Sequence, residues 1–185
     1  MKLAFTGAHS TGKTTLVKEL SNSVPKKYTQ KYVTEVARKI IDRGYPLGDK
    51  ATEKAYLQYI SSQLEEERDI ENYDLFVSDR TLLDPLAYML VNKELFGAVV
   101  SDELIRMMEN IWIMEQKKYD WYVYFPVEFP LVEDGIRPIG NEYQKAIDDM
   151  IHGLLCEHKI PYITVSGSVI ERKQQIMDFL RGEIV

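Results

Sequence analysis

One octapeptide near the start limits this chain more than any other feature. Gly7 to Thr14 reads GAHSTGKT and fits the pattern G-x-x-x-x-G-K-[ST]. An apolar stretch, Lys2 to Thr6, precedes it and reads as a short buried strand. Lys13 to Ser23 follows as a helix that stops before Pro25. The glycines permit the tight curvature that lets consecutive backbone N–H groups point inward at phosphate oxygens. The first turn of the helix adds unpaired donors and its positive dipole end. Gly7, Ala8, His9, Ser10, Thr11, Gly12, Lys13, Thr14 and Thr15 are therefore the candidate cradle for a nucleoside triphosphate, most simply ATP. Lys13 would bridge the β- and γ-phosphates, and Thr14 would set its hydroxyl on Mg²⁺. His9 is expected to turn its side chain away from the phosphates.

The rest of the chain alternates short apolar strands with helices. KYTQKYVTEV holds a strand at about 28–34, and a helix follows from Glu35 to Arg43, with Gly44 as its stop. DKATEKAYLQYISSQLEEERDIEN has apolar residues at helical spacing and predicts one long helix over 49–72. DLFVSD is the third strand. Asp84 is the expected cap of the next helix, with Pro85 at its first position, and Ser101 the cap of the one after. WYVYF and PYITV are the fourth and fifth strands. Asn141 is the expected cap of the helix between them, with Gln144 completing a capping box. A helix closes the chain. The order predicts α/β architecture, with a parallel sheet covered on both faces in a single domain over 1–185. No linker or repeat divides it.

Ligands of open parallel sheets gather at the carboxyl ends of strands. Strand two is followed by Glu35 and Arg38, one helical turn apart. Strand three ends on Asp79 and Arg80. Strand four runs into PVEFPLVEDGIRPIG, a loop over 126–140 with Glu128, Asp134 and Arg137. An acid ending a buried strand is costly unless it serves a site or is hydrogen-bonded, so Asp79 is the strongest site candidate here. Tyr45, Tyr56 and Tyr88 are candidates to stack on a base, or are core.

TGAHSTGKTTL, VTEVARKII, SDRTLLDPLAY, PLVEDGIRPIG and YITVSGSVIERKQQI together resemble the small P-loop kinases typified by bacterial ribosylnicotinamide kinase domains. SDRTLLDPLAY carries Arg80 where those kinases tend to have Thr. There it is similar to the Asp-Arg element of thymidylate kinases and the Glu-Arg element of deoxynucleoside kinases. The resemblance implies an α/β P-loop NTPase with a five-stranded parallel sheet and the phosphate loop on the central strand. It implies phosphoryl transfer from ATP with Mg²⁺ to a nucleoside or nucleoside monophosphate. It assigns Glu35 a place near the acceptor hydroxyl, and Asp79 a metal or acceptor contact. Arg80 becomes an acceptor-side or phosphate-side cation, and Arg137 part of a lid. Gly167, Ser168 and Arg172 then flank the adenine. Lys13, Glu35, Asp79, Arg80 and Arg137 are the catalytic set, and Arg38 and Tyr88 join Glu35, Asp79 and Arg80 on the substrate.

Composition bounds the alternatives. With 185 residues, 45% hydrophobic and 28% charged, the chain can bury a core. A formal net charge of −6 counts against a protein that coats nucleic acid, and no apolar run reaches membrane length. A kinase acting on a nucleic-acid hydroxyl and an NTP-hydrolysing switch remain as competing readings. The lone Cys156 permits no internal disulfide, suits a cytoplasmic setting, and is expected to be a small buried residue. His152 and His158 flank it without a fourth metal ligand. LIRMMENIWIM is a candidate for core or for a homodimer face.

Overall fold

A computed structural model gives the fold, and the structure describes residues 1–97, 100–128 and 140–184. Five parallel strands lie in the order β2-β3-β1-β4-β5, where β1 is Lys2–Thr6, β2 Gln30–Val33, β3 Leu75–Asp79, β4 Trp121–Tyr124 and β5 Tyr162–Thr164. The strand that feeds the phosphate loop is thus central, as expected. Register aligns Phe5 with Asp79 on one side and Thr6 with Tyr124 on the other. The carboxyl ends of β1, β3 and β4 therefore meet at one edge.

Period-2 alternation sorts the strand side chains onto two faces. Leu3, Phe5, Leu75, Val77, Val123 and Phe125 pack with Leu16 and Leu20 of α1 (Lys13–Ser21) and with Ile176 and Leu180 of α7 (Val169–Ile184). Ala4, Phe76, Tyr122 and Tyr124 face the opposite layer. That layer holds α3 (Glu53–Glu67), α4 (Leu83–Phe96), α5 (Asp102–Glu115) and α6 (Asn141–Glu157), with α2 (Val36–Asp42) beside α3. Helix α4 is buried on nearly every side, from Leu83 to Asn92. On α5, Leu104, Met108 and Trp112 are core, while Met107 and Met114 are exposed. No described helix is long and apolar enough to cross a membrane.

Several local expectations are corrected. The long helix over 49–72 is a shorter α3 flanked by 3-10 turns at Gly48–Lys50 and Ile70–Asn72. Thr52 supplies its cap through a bond from the Ala55 N–H. Asp84 is not a helix cap. It lies inside α4, 1% exposed, and Leu82 precedes the helix, so Pro85 falls in the third position. Asn141 begins α6 rather than capping it, and Gln144 reaches away to the His9 carbonyl at 2.7 Å instead of closing a capping box. Ser101 does cap α5, accepting from the Leu104 N–H. Cys156 is exposed, not buried. His152 lies 3.7 Å from its sulfur, whereas His158 packs on Trp112. No cluster of metal-ligating side chains forms among the described residues.

Candidate active site

The phosphate loop has the curvature its glycines predict. Gly7 has φ 147°, and a Cβ there would lie 2.4 Å from the Phe125 carbonyl oxygen, so no side chain fits. Gly12 has φ 88° and starts α1, and Ser10 adopts φ 63° between them. Lys13 is buried, with its ammonium donating to the Gly7 carbonyl at 2.7 Å, the Ala8 carbonyl at 2.6 Å and Thr11 Oγ1 at 3.0 Å. Thr14 is half-buried and Thr15 exposed.

Three helices brace the loop from outside. The Tyr88 hydroxyl, on α4, accepts from the His9 N–H at 3.1 Å and lies 2.9 Å from His9 Nδ1. The Gln144 amide, on α6, holds the His9 carbonyl. Arg172, on α7, donates to the Thr11 carbonyl at 2.6 Å and to Glu128 at 2.8 Å. Glu128 also accepts from the Gly167 N–H at 2.9 Å. Gly167 has φ 89°, and Ser168 and Glu171 form a capping box at the start of α7, with the Ser168 hydroxyl 2.7 Å from Glu171. His9 turns its ring toward Tyr88 and Tyr143, with centroids 6.2 and 6.1 Å away.

The end of β3 forms the second half of the site. Thr14 donates its hydroxyl to Asp79 Oδ2, while Asp79 Oδ1 is buried without a hydrogen-bond partner among the described residues. Arg80 holds φ 80°, a conformation unfavourable for a residue with a Cβ. Its backbone is fixed on both sides. The N–H donates to the Phe5 carbonyl at 2.9 Å, and its carbonyl accepts from Ser78 Oγ at 2.7 Å and the Gln63 amide at 3.2 Å. Its guanidinium donates to Asp84 at 3.0 Å and lies over the Tyr88 ring at 5.7 Å. Asp84 also accepts from Thr6 Oγ1 at 3.1 Å and the Thr81 N–H at 3.2 Å.

Burial sets the charges here. It pushes the Asp84 carboxyl up, against the opposing pull of Arg80 and Lys13. Burial works against the charge of Arg80, but Tyr88, Asp84, Tyr59 and Asp79 outweigh it, so the guanidinium stays cationic. Burial also raises Tyr88, which keeps its hydroxyl protonated at neutral pH.

Beside these groups opens a cavity of about 370 Å³. Glu35 and Arg38 line it from the β2–α2 junction, Asp79 and Arg80 from β3, and Tyr56, Tyr59, Tyr88 and Tyr143 from the helices. Glu35 sits at the start of α2 with φ 64°. Neither Glu35 nor Arg38 makes an ion pair among the described residues. The structure thus brings together Thr14, Glu35, Arg38, Asp79, Arg80 and Tyr88, which lie far apart in sequence. Gly167, Ser168 and Arg172 stand behind the phosphate loop. Asp134, Arg137 and most of the 126–140 loop lie outside the described residues. Tyr45 does not line the cavity, and the hydroxyl of Tyr56 accepts from Asn92 at 3.0 Å. Sequence reasoning missed Tyr59, Tyr143, Gln63 and Gln144, because helical spacing alone reads such residues as core or surface.

A family model described as an AAA domain matches residues 2–172. Among solved structures, deoxyadenosine kinase from M. mycoides with the products dCMP and dCDP superposes with a TM-score of 0.74 at 19% identity. That match covers 98% of this chain and 100% of that one. Thymidylate kinase from Candida albicans gives 0.61 at 17% identity, over 98% of this chain and 91% of that one. The NadR protein in complex with NAD and AMP-PNP gives 0.72 at 17% identity, over 98% of this chain and 48% of NadR. Relative to NadR, then, this chain spans about half the length. Among curated proteins none matches. At these identities the likeness establishes the fold, and the expected five-stranded P-loop architecture is borne out.

Proposed function

The chain belongs to the AAA-domain family, whose model matches residues 2–172, and from that premise we propose that it is an ATP-dependent kinase of nucleosides. The cavity carries this reading. A hydrolytic switch needs a phosphate loop and a water, whereas here a cavity of about 370 Å³ lined by four acids and two arginines opens beside the loop. Deoxyadenosine kinase and thymidylate kinase, by name kinases of nucleoside and nucleotide acceptors, share its fold.

The geometry of the described residues supports these roles. The loop amides and Lys13 hold the triphosphate, Lys13 exchanging two carbonyl partners for phosphate oxygens. Thr14 and Asp79 fit Mg²⁺, since hard cations take oxygen ligands and Asp79 Oδ1 is buried without a partner among the described residues. Bound there, Mg²⁺ supplies charge neutralisation on the phosphates. With Asp79 committed to the metal side, Glu35 is the base that orients the acceptor hydroxyl and takes its proton. Arg80, locked to Asp84 and Tyr88, provides a fixed positive charge near the transferred group. Arg172 steadies the loop through Thr11 and, with Gly167 and Ser168, borders the nucleotide. Arg137 is a lid residue in this proposal.

Arg38, without an ion pair among the described residues, favours a second reading in which the acceptor is a nucleoside monophosphate. Purified protein with labelled ATP and Mg²⁺, given nicotinamide riboside, deoxynucleosides and their monophosphates, decides between them. We expect a phosphorylated nucleoside. Phosphorylated monophosphates alone support the second reading, and ATP hydrolysis without any acceptor product overturns both.

A further inference from the structure

A second cavity, of about 350 Å³, opens where the residues after β4 meet the first turns of α6. Two oxygens of its lining residues are buried and have no hydrogen-bond partner among the described residues, Gln144 Oε1 and Asp148 Oδ1. They belong to positions one helical turn apart on α6, and so to one face of it. Gln144 is 1% exposed, and its Nε2 is committed to the His9 carbonyl at 2.7 Å, which leaves Oε1 as the open end of the amide. Asp148 Oδ2 accepts from the Val127 N–H at 3.1 Å. The Tyr124 hydroxyl also bears on this carboxylate, but Oδ1 meets no donor in hydrogen-bonding geometry among the described residues. An amide oxygen and a carboxylate oxygen can only accept, and burying such atoms unmet is costly.

We infer that this cavity is a site for a compact monovalent cation, an alkali ion or a primary ammonium, held between Gln144 Oε1 and Asp148 Oδ1. Two open acceptors call for a ligand that brings positive charge or N–H groups and no acceptor of its own. The charge of the wall agrees. Glu128, Asp148 and Asp149 are acids, and Lys145, the single cation among the described lining residues, is exposed. Glu128 already accepts from Arg172 and from the Gly167 N–H, and Asp149 is exposed, so Asp148 supplies the buried negative charge. No three acidic, histidine or cysteine side chains converge for a metal ion among the described residues. One buried carboxylate matches one positive charge, whereas divalent ions gather more oxygen ligands. Gln144 would then hold the cation on one side and the phosphate loop, through His9, on the other. The inference does not rest on the kinase reading.

Thermal melting of the full chain without nucleotide tests it, in potassium, methylammonium, magnesium or tetramethylammonium chloride at equal ionic strength. Tetramethylammonium has the charge but no N–H group and no room for oxygen ligands, so it sets the baseline for screening. We expect potassium or methylammonium to raise the wild-type melting temperature by about 3–6 °C once the salt exceeds its dissociation constant about tenfold. Potassium alone doing so makes it an alkali-ion site, and methylammonium alone a site for an amine head. Asp148→Asn keeps the acceptor for the Val127 N–H, removes the charge and should lose most of the shift. Asp149→Asn, at an exposed position, should keep it. Asp148→Ser reads the same loss if the asparagine variant does not fold. Equal wild-type melting in all four salts overturns the inference, water then meeting the two oxygens. A shift that survives Asp148→Asn, one that Asp149→Asn abolishes equally, or one given by magnesium alone overturns it too. None of these readouts needs turnover, so the kinase reading stands or falls separately.

Discussion

The two halves of the site are held in opposite ways. In the phosphate loop, several backbone groups are tied down by side chains. Tyr88 and Gln144 hold His9, Arg172 holds Thr11, and Lys13 closes on Gly7 and Ala8. Across the cavity several groups are left unpaired. Glu35 and Arg38 have no ion pair, and Asp79 Oδ1 and the Tyr59 hydroxyl have no hydrogen bond, among the described residues. A rigid half suits a ligand part that never varies, the polyphosphate, and a half with open valences suits a part that must be told apart from others.

The largest effect expected from this contrast falls on the rigid half. Lys13→Ala should lower phosphoryl transfer on the order of 10³-fold in a protein that still folds, because the ammonium that now holds the Gly7 and Ala8 carbonyls is the group that would meet the phosphates. Near-normal turnover in that variant would break the division of labour. Glu35→Gln sharpens the other half. It should lower kcat about 10²- to 10⁴-fold while leaving KM for ATP in place. If ATP binding changes instead, Glu35 belongs to the nucleotide side and the halves are drawn wrongly.

The same division explains what was legible in the sequence. The loop is a backbone device, and its demands appear as glycines at fixed spacing. Gly7 approaches the Phe125 carbonyl too closely for any other residue, and Gly12 needs φ 88°. The alternation of short apolar strands with helices likewise predicted a sheet covered on both faces. The ends of β2 and β3 could be named as site residues because a parallel sheet collects them at one edge. The braces could not. Gln144 and Tyr88 reach His9 from residues 135 and 79 positions away, and no local pattern encodes such a contact. Asp84 misled for a related reason. An acid before Pro85 is an ordinary cap, and only the third dimension supplies Thr6, Arg80 and Thr81 as its partners.

Arg172 tests how much the bracing matters. It is 4% exposed and bridges the Thr11 carbonyl to Glu128. Arg172→Ala leaves the Thr11 carbonyl without this donor and removes one of the two donors to the Glu128 carboxylate, which should cost about 1–3 kcal/mol. For a chain of this size that is a fall in melting temperature of about 2–4 °C per kcal/mol. KM for ATP should rise with it. A variant that loses stability but keeps its affinity for ATP would show that the brace serves the fold alone.

The smallest expected effect is also the most diagnostic of the contrast. Glu35 and Arg80 both hold left-handed backbone, at φ 64° and 80°. The Arg80 backbone is clamped by Phe5, Ser78 and Gln63, so its strain is offset locally. At Glu35 the αL conformation positions a carboxylate that makes no ion pair among the described residues. Such residues gather at functional sites, where strain is retained because the side chain is needed there. Glu35→Gly should relieve it and, after the extra entropy glycine brings to the unfolded chain, leave a gain of about 0.5–1 kcal/mol. Urea unfolding should therefore show a slightly higher midpoint with an unchanged slope, in a protein that has lost its turnover. The Arg80→Gly variant is the control. It sheds the same kind of strain but also the ion pair to buried Asp84, and should be less stable than wild type. If both variants lose stability alike, the strain at Glu35 is compensated by contacts as it is at Arg80, and the difference between a braced half and an open one fails at that residue.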